Sequence, residues 1–190
     1  MTKLLVQQLA FQCVWLACAF GGASGSAWPG ITAASLFLVA HFALKSRPAR
    51  DLVLVAVALG WGWALDTILV GRSLVSYPGS PLSLGASPGW MLGLWAAFAL
   101  TVPVAFAWLR NRPKVGAVVG AMGGLLAYVA GVRIGALSVG SEAGWAAIAL
   151  GWALAMPALV AVSDADGIPR LPSWQSGSLV RFPRSAGAQN

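Results

Sequence analysis

Apolar residues run along this chain in long blocks, and nearly all the charge falls in the short stretches between them. A helix that crosses the hydrocarbon of a bilayer needs about 20 mostly apolar residues. Six blocks fit that size: 4–22, 29–44, 52–71, 89–109, 115–135 and 144–162. No alternation of period two appears, so a barrel is not expected. Open sheet edges do not survive in lipid, which leaves helices. The pattern predicts an all-α, polytopic transmembrane bundle of six helices spanning residues 1–162, followed by a polar tail over 163–190. That tail is expected to be disordered or to rest on anionic lipid through Trp174, Phe182 and its arginines.

Charge adds an orientation. Lys3, Lys45, Arg47, Arg50, Arg110, Arg112, Lys114, Arg170, Arg181 and Arg184 fall on one side of a six-helix arrangement. Only Arg72 and Arg133 fall on the other. Loops rich in Lys and Arg stay in the cytoplasm, so both termini are expected inside. A run of small residues, Ala23 to Ala27, loosely resembles a signal-peptide cleavage site. Gln7, Gln8 and Gln12 interrupt the apolar region that such a peptide needs, and an uncleaved first helix is expected.

Composition agrees. Residues are 58% hydrophobic and only 9% charged, too few charges to clothe a water-facing surface. The net charge of +7 reflects those loops, and no motif supports nucleic acid as a partner. Cys13 and Cys18 stand five residues apart on one helix, point to different faces and cannot bridge. No Cys/His cluster has metal-ligand spacing, and neither metal nor cofactor is expected. The loop 72–88, rich in Ser, Gly and Pro, is expected to be irregular and to lie over the outer mouth of the bundle.

Helix five carries two ladders of small residues, Gly116–Gly120–Gly124 and Gly123–Ala127–Gly131–Gly135. Small residues every four positions form a stripe that admits a neighbouring backbone. Two stripes predict a helix contacted on two sides and central in the bundle. Pro103 in helix four and Pro157 in helix six are expected to bend their helices.

Polar groups in hydrocarbon are costly and need a reason. Asp66 lies about 22 Å from the inner end of helix three, and Arg133 about 28 Å along helix five. Their similar depth predicts an ion pair, serving either to lock two helices together or as a substrate site, with Glu142 near enough to join it. His41 is expected to be interfacial or hydrogen-bonded, and the three glutamines to bond between helices. Trp28, Trp90 and Trp145 stand where a belt of interfacial anchors is expected. Trp61, Trp63 and Trp95 lie deeper, where they either line a cavity for an acyl chain or fill the core. No Ser/His/Asp set or paired carboxylates are evident.

Gly60 through Asp66, the segment Pro88-Gly89-Trp90-Met91 with Leu94-Trp95 and Phe98-Ala99, and above all Gly120-Ala121-Met122-Gly123-Gly124-Leu125-Leu126-Ala127-Tyr128 running to Gly131, Arg133, Gly135 and Ala136 resemble a known family. Phe11-Gln12 with Trp15, and the stretch from Trp152 to Pro157, fit the same pattern. It is the uncharacterised bacterial integral membrane family of domains of unknown function numbered 2878, and the resemblance covers residues 5–160. It implies a small inner-membrane protein that accompanies enzymes of fatty-acid modification. Two positions depart from the pattern: Thr101-Val102-Pro103 stands in place of an Asn-His type segment, and Gly151 in place of an acidic residue. The family carries no established functional residue.

Three readings of function follow. The first is a non-enzymatic component of membrane lipid metabolism, binding lipid or a partner protein. The second is a small permease using Asp66 and Arg133, acting as a homo-oligomer because six short helices enclose little space. The third is an intramembrane lipid-modifying enzyme with Asp66 as base.

Overall fold

The structure, a computed structural model, describes residues 2–44, 48–78, 83–84 and 87–164. Lys45, Arg47 and the tail beyond Asp164, with Arg170, Trp174, Arg181, Phe182 and Arg184, lie outside the described residues. Six helices form where the apolar blocks predict them: α1 (Thr2–Ala23), α2 (Trp28–Ala43), α3 (Pro48–Gly71), α4 (Gly89–Ala105), α5 (Pro113–Ile134) and α6 (Glu142–Asp164). The all-α bundle is therefore present, and the chain is a helical membrane protein. Helices α1, α3, α5 and α6 are long and apolar enough to cross a bilayer. With 16 and 17 residues, α2 and α4 reach only about 24 and 26 Å against a hydrocarbon core of about 30 Å.

Successive helices alternate in direction, as named contacts establish. The Gln7 amide near the start of α1 donates to the Leu100 carbonyl late in α4 at 2.7 Å. Further along α1, the Cys18 thiol reaches the Trp90 carbonyl at the start of α4, at 3.4 Å. One end of the bundle, here the first end, thus holds the starts of α1, α3 and α5. The second end holds the starts of α2, α4 and α6. At the second end, β1 (Val75–Ser76) pairs antiparallel with β4 (Ser138–Val139), joining the α3–α4 and α5–α6 connections. A second antiparallel pair, β2 (Ser83–Leu84) with β3 (Ser87–Pro88), folds within the loop that the sequence left irregular.

The central helix is α4, which packs on α1, α2, α3 and α6. A helix apolar all round is expected to be buried all round, and Trp95, Ala97, Ala99, Leu100 and Val102 are all closed off. That corrects the placement of α5 at the centre. The first α5 ladder does pack: Gly116 abuts Pro157, and a Cβ on Gly120 or Gly124 would collide with Trp152 of α6. The second ladder is barely covered: α1 and α5 hardly touch, and Ala23 of α1 comes only within 4.0 Å of where a Gly135 Cβ would be. Gly123 has nothing within 4 Å of where a Cβ would be. Gly135 is not a packing residue either. It ends α5 in the left-handed conformation, φ +89°, that glycine adopts without penalty.

Both prolines sit inside helices. Beyond Pro103, α4 ends at Ala105 and the chain continues as a single 3-10 turn, Ala107–Leu109. At Pro157, α6 runs on unbroken to Asp164.

At the first end, His41 Nε2 lies 2.7 Å from Asp51 Oδ2, tying α2 to α3 across their connection. Asp51 is 6% exposed. Replacing it with alanine removes the partner of a part-buried imidazole. Asp51→Ala is expected to lower stability by about 1–2 kcal/mol, read as an earlier thermal unfolding transition in detergent.

Candidate functional site

Two features meet in the half of the bundle nearer the second end. The first is Asp66, which is fully buried, about 8 Å before the end of α3. Its two oxygens accept three hydroxyl hydrogen bonds. Tyr77, just past β1, donates to Oδ1 at 2.8 Å, and Tyr128 of α5 donates to the same atom at 3.3 Å. Ser87 of β3 donates to Oδ2 at 2.8 Å. A buried carboxylate needs such donors to replace the water it has lost. Burial, and after it the neighbouring Tyr128 and Asp66, hold the Tyr77 hydroxyl well above the ordinary tyrosine range, so it remains a donor. Its ring stands edge-on to Trp90 at 5.7 Å.

The ion pair expected from depth is not made. Arg133 stands exposed in the last turn of α5, and Glu142 stands exposed at the start of α6. Depth along two helices says nothing about which faces they present, and Asp66 faces inward while Arg133 faces out. Trp63 is 46% exposed on the outer face of α3 and so is neither core nor cavity lining. The Asp66 partners that sequence reasoning missed lie in the α3–α4 connection and on another face of α5. One signal was available, since the chain has only two tyrosines and both serve Asp66.

The second feature is a groove of about 410 Å³ between α1 and α5, floored by α4 and α6. It exists because α1 leans on α4 and leaves the second small-residue ladder of α5 uncovered. Its floor is aromatic. Trp95 and Trp152 stack at 4.4 Å and 15°, and Phe98 stands edge-on to Trp152 at 5.2 Å. Phe11 and Phe106 flank Phe98 at 6.0 and 5.9 Å. Glycines set this floor: a Cβ on Gly62 of α3 would strike the Trp95 indole, and one on Gly124 would strike that of Trp152. Among the described residues, no charged side chain lines the groove, and its polar groups are Gln12, Tyr128 and the indoles. Tyr128 belongs to both features, its ring on the groove and its hydroxyl on Asp66.

The other aromatic and polar residues divide. Trp28, 64% exposed at the start of α2, suits an interfacial anchor, and Trp145 is partly buried at the start of α6. Trp90 is not a belt residue, being 2% exposed and packed against Gly22 and Gly30. Gln7 bonds between helices as expected. Among the described residues, the buried Gln8 amide nitrogen meets no acceptor, and Gln12 opens onto the groove. Cys13 and Cys18 are unbridged. Thr101 is buried and bonds the Phe98 carbonyl at 2.7 Å. Gly151 faces the Leu65 side chain so closely that a Cβ would already crowd it.

Chemically, the Asp66 cluster is saturated by donors and ties three elements together. The groove offers an apolar, aromatic surface suited to a neutral or hydrocarbon ligand. Among the described residues, no group of three His, Cys, Asp or Glu side chains is placed to hold a metal ion.

No curated protein and no solved structure matches the chain. The signature of the family described as "Protein of unknown function (DUF2878)" matches residues 4–158, which reaches from α1 into α6 and includes both features of the site. The chain thus belongs to the DUF2878 family.

Proposed function

We propose that this protein binds a lipid acyl chain in the groove between α1 and α5, as a non-enzymatic component of membrane lipid metabolism. The observation that carries this reading is the groove itself. It is uncharged, aromatic-floored and runs along about 18 Å of α5, parallel to the chains of the surrounding lipid. In this reading Asp66 positions the second-end connections and the Tyr128 wall of the groove.

The test is binding of radiolabelled stearate to the protein in lipid nanodiscs. Gly123→Phe places a ring in the open space beside the floor and is expected to weaken binding at least tenfold while leaving thermal unfolding unchanged. Equal binding by both proteins overturns the reading.

A second reading has one observation behind it. Tyr128 links the buried carboxylate to the groove wall, an arrangement that a lipid-modifying enzyme would use to move a proton. The permease reading loses its motivating Asp66–Arg133 pair. For orientation, we place the first end in the cytoplasm of a bacterial inner membrane, since Arg50, Arg110, Arg112 and Lys114 gather there against Arg72 and Arg133 at the second. Reporter insertion in the 110–112 turn and near residue 140 is expected to give cytoplasmic and external signals respectively.

A further inference from the structure

Among the described residues, Gln12 is the one side-chain amide on the groove. It lies halfway along α1, about 15 Å from either end, between Phe11 and Trp15. The opposing wall is Gly123, Ala127 and Ala130. Gln12 is exposed, and among the described residues it makes no hydrogen bond. Gln7, about one and a half turns earlier, is bonded to a carbonyl of α4, while the buried Gln8 amide nitrogen meets no acceptor among the described residues. At mid-depth there is no water to serve instead, so an open amide there is costly.

We infer that the groove selects a lipid chain bearing a neutral oxygen, such as a hydroxyl or keto group, part-way along its length, and that Gln12 recognises that oxygen. This deepens the acyl-chain reading and rests on it. The chemistry excludes an ionised headgroup at this point. An anion at mid-depth would need a cation, and among the described residues no Lys or Arg lines the groove. A neutral oxygen needs only the donor and acceptor that a primary amide offers. A second copy of the chain bonding through Gln12 is the competing occupant.

The test compares stearate with a stearate carrying one hydroxyl near mid-chain. Each is bound to the protein in nanodiscs, as wild type and as Gln12→Leu, with oligomer size measured alongside. Wild type is expected to prefer the hydroxylated chain by on the order of tenfold, the effect of one hydrogen bond. Gln12→Leu is expected to lose that preference, binding the two chains equally. Equal affinities in wild type, a preference that survives Gln12→Leu, or a Gln12→Leu change that only dissociates an oligomer overturns the role of Gln12. Loss of plain stearate binding in Gly123→Phe supports the groove reading independently of Gln12. Failure of wild type to bind either acid overturns both.

Discussion

Asp66→Ala is expected to destabilise the protein by about 3 kcal/mol. The change leaves the hydroxyls of Tyr77, Tyr128 and Ser87 facing a void in place of a carboxylate, and each orphaned donor costs on the order of 1 kcal/mol. Ser87 is fully closed off and Tyr128 is 4% exposed, so water cannot substitute freely. The loss also reaches beyond one helix, because the three donors come from the α3–α4 connection, β3 and α5. Asp66→Asn keeps the shape and one acceptor, and a tyrosine or serine hydroxyl can rotate to accept from the new amide. Its expected cost is about 1 kcal/mol. Unfolding of the three proteins in detergent, by heat or by titration with denaturing detergent, ranks them. Unfolding of Asp66→Ala at the wild-type midpoint would show that the cluster is not the hub described above. Lipid binding separates the second reading of function: an enzyme with Asp66 as base loses turnover in Asp66→Asn, while a binding protein keeps its affinity.

Gly120→Leu is the second large effect, expected at about 3 kcal/mol or more. The Cβ alone would fall on the backbone carbonyl of Trp152 and within 2.6 Å of the Met156 Cβ, and a backbone cannot step aside as a side-chain tip can. Overpacking of this kind forces helices apart. It would also displace Trp152 from its stack with Trp95, so the groove floor is lost with the interface. Gly123, less than one turn away, is the internal control. Nothing lies within 4 Å of its missing Cβ, and Gly123→Ala is expected to be neutral or slightly stabilising through helix propensity. Similar losses at both positions would mean that the two ladders of α5 are not distinct.

That contrast also marks how far the sequence could be read. Six helices were legible because hydrocarbon imposes length and composition on any segment within it. The Gly116–Gly120–Gly124 stripe was legible as a packing face because four-residue spacing fixes a face. Which face meets a helix was not, since the second stripe has the same spacing and opens on a groove. The Asp66 environment was hidden for a different reason. Its donors are hydroxyls at positions 77, 87 and 128, separated by a loop and two helices, and hydroxyl residues carry no signal of burial. Depth matched Asp66 with Arg133, but facing direction, set by how α3 and α5 rotate against their neighbours, decided otherwise. Trp90 likewise sits at a belt position by number, yet the glycines at 22 and 30 make room to bury it.

The account stands on an acyl chain occupying the groove. The most direct measurement is photolysis of a diazirine-bearing palmitate with the protein in nanodiscs, followed by peptide mass spectrometry of the adducts. Adducts concentrated on Trp15, Trp95 and Met156, and lost in Gly123→Phe, are the expected result. Adducts spread at equal yield over lipid-facing residues such as Leu36, Val39 and Leu154 would contradict it.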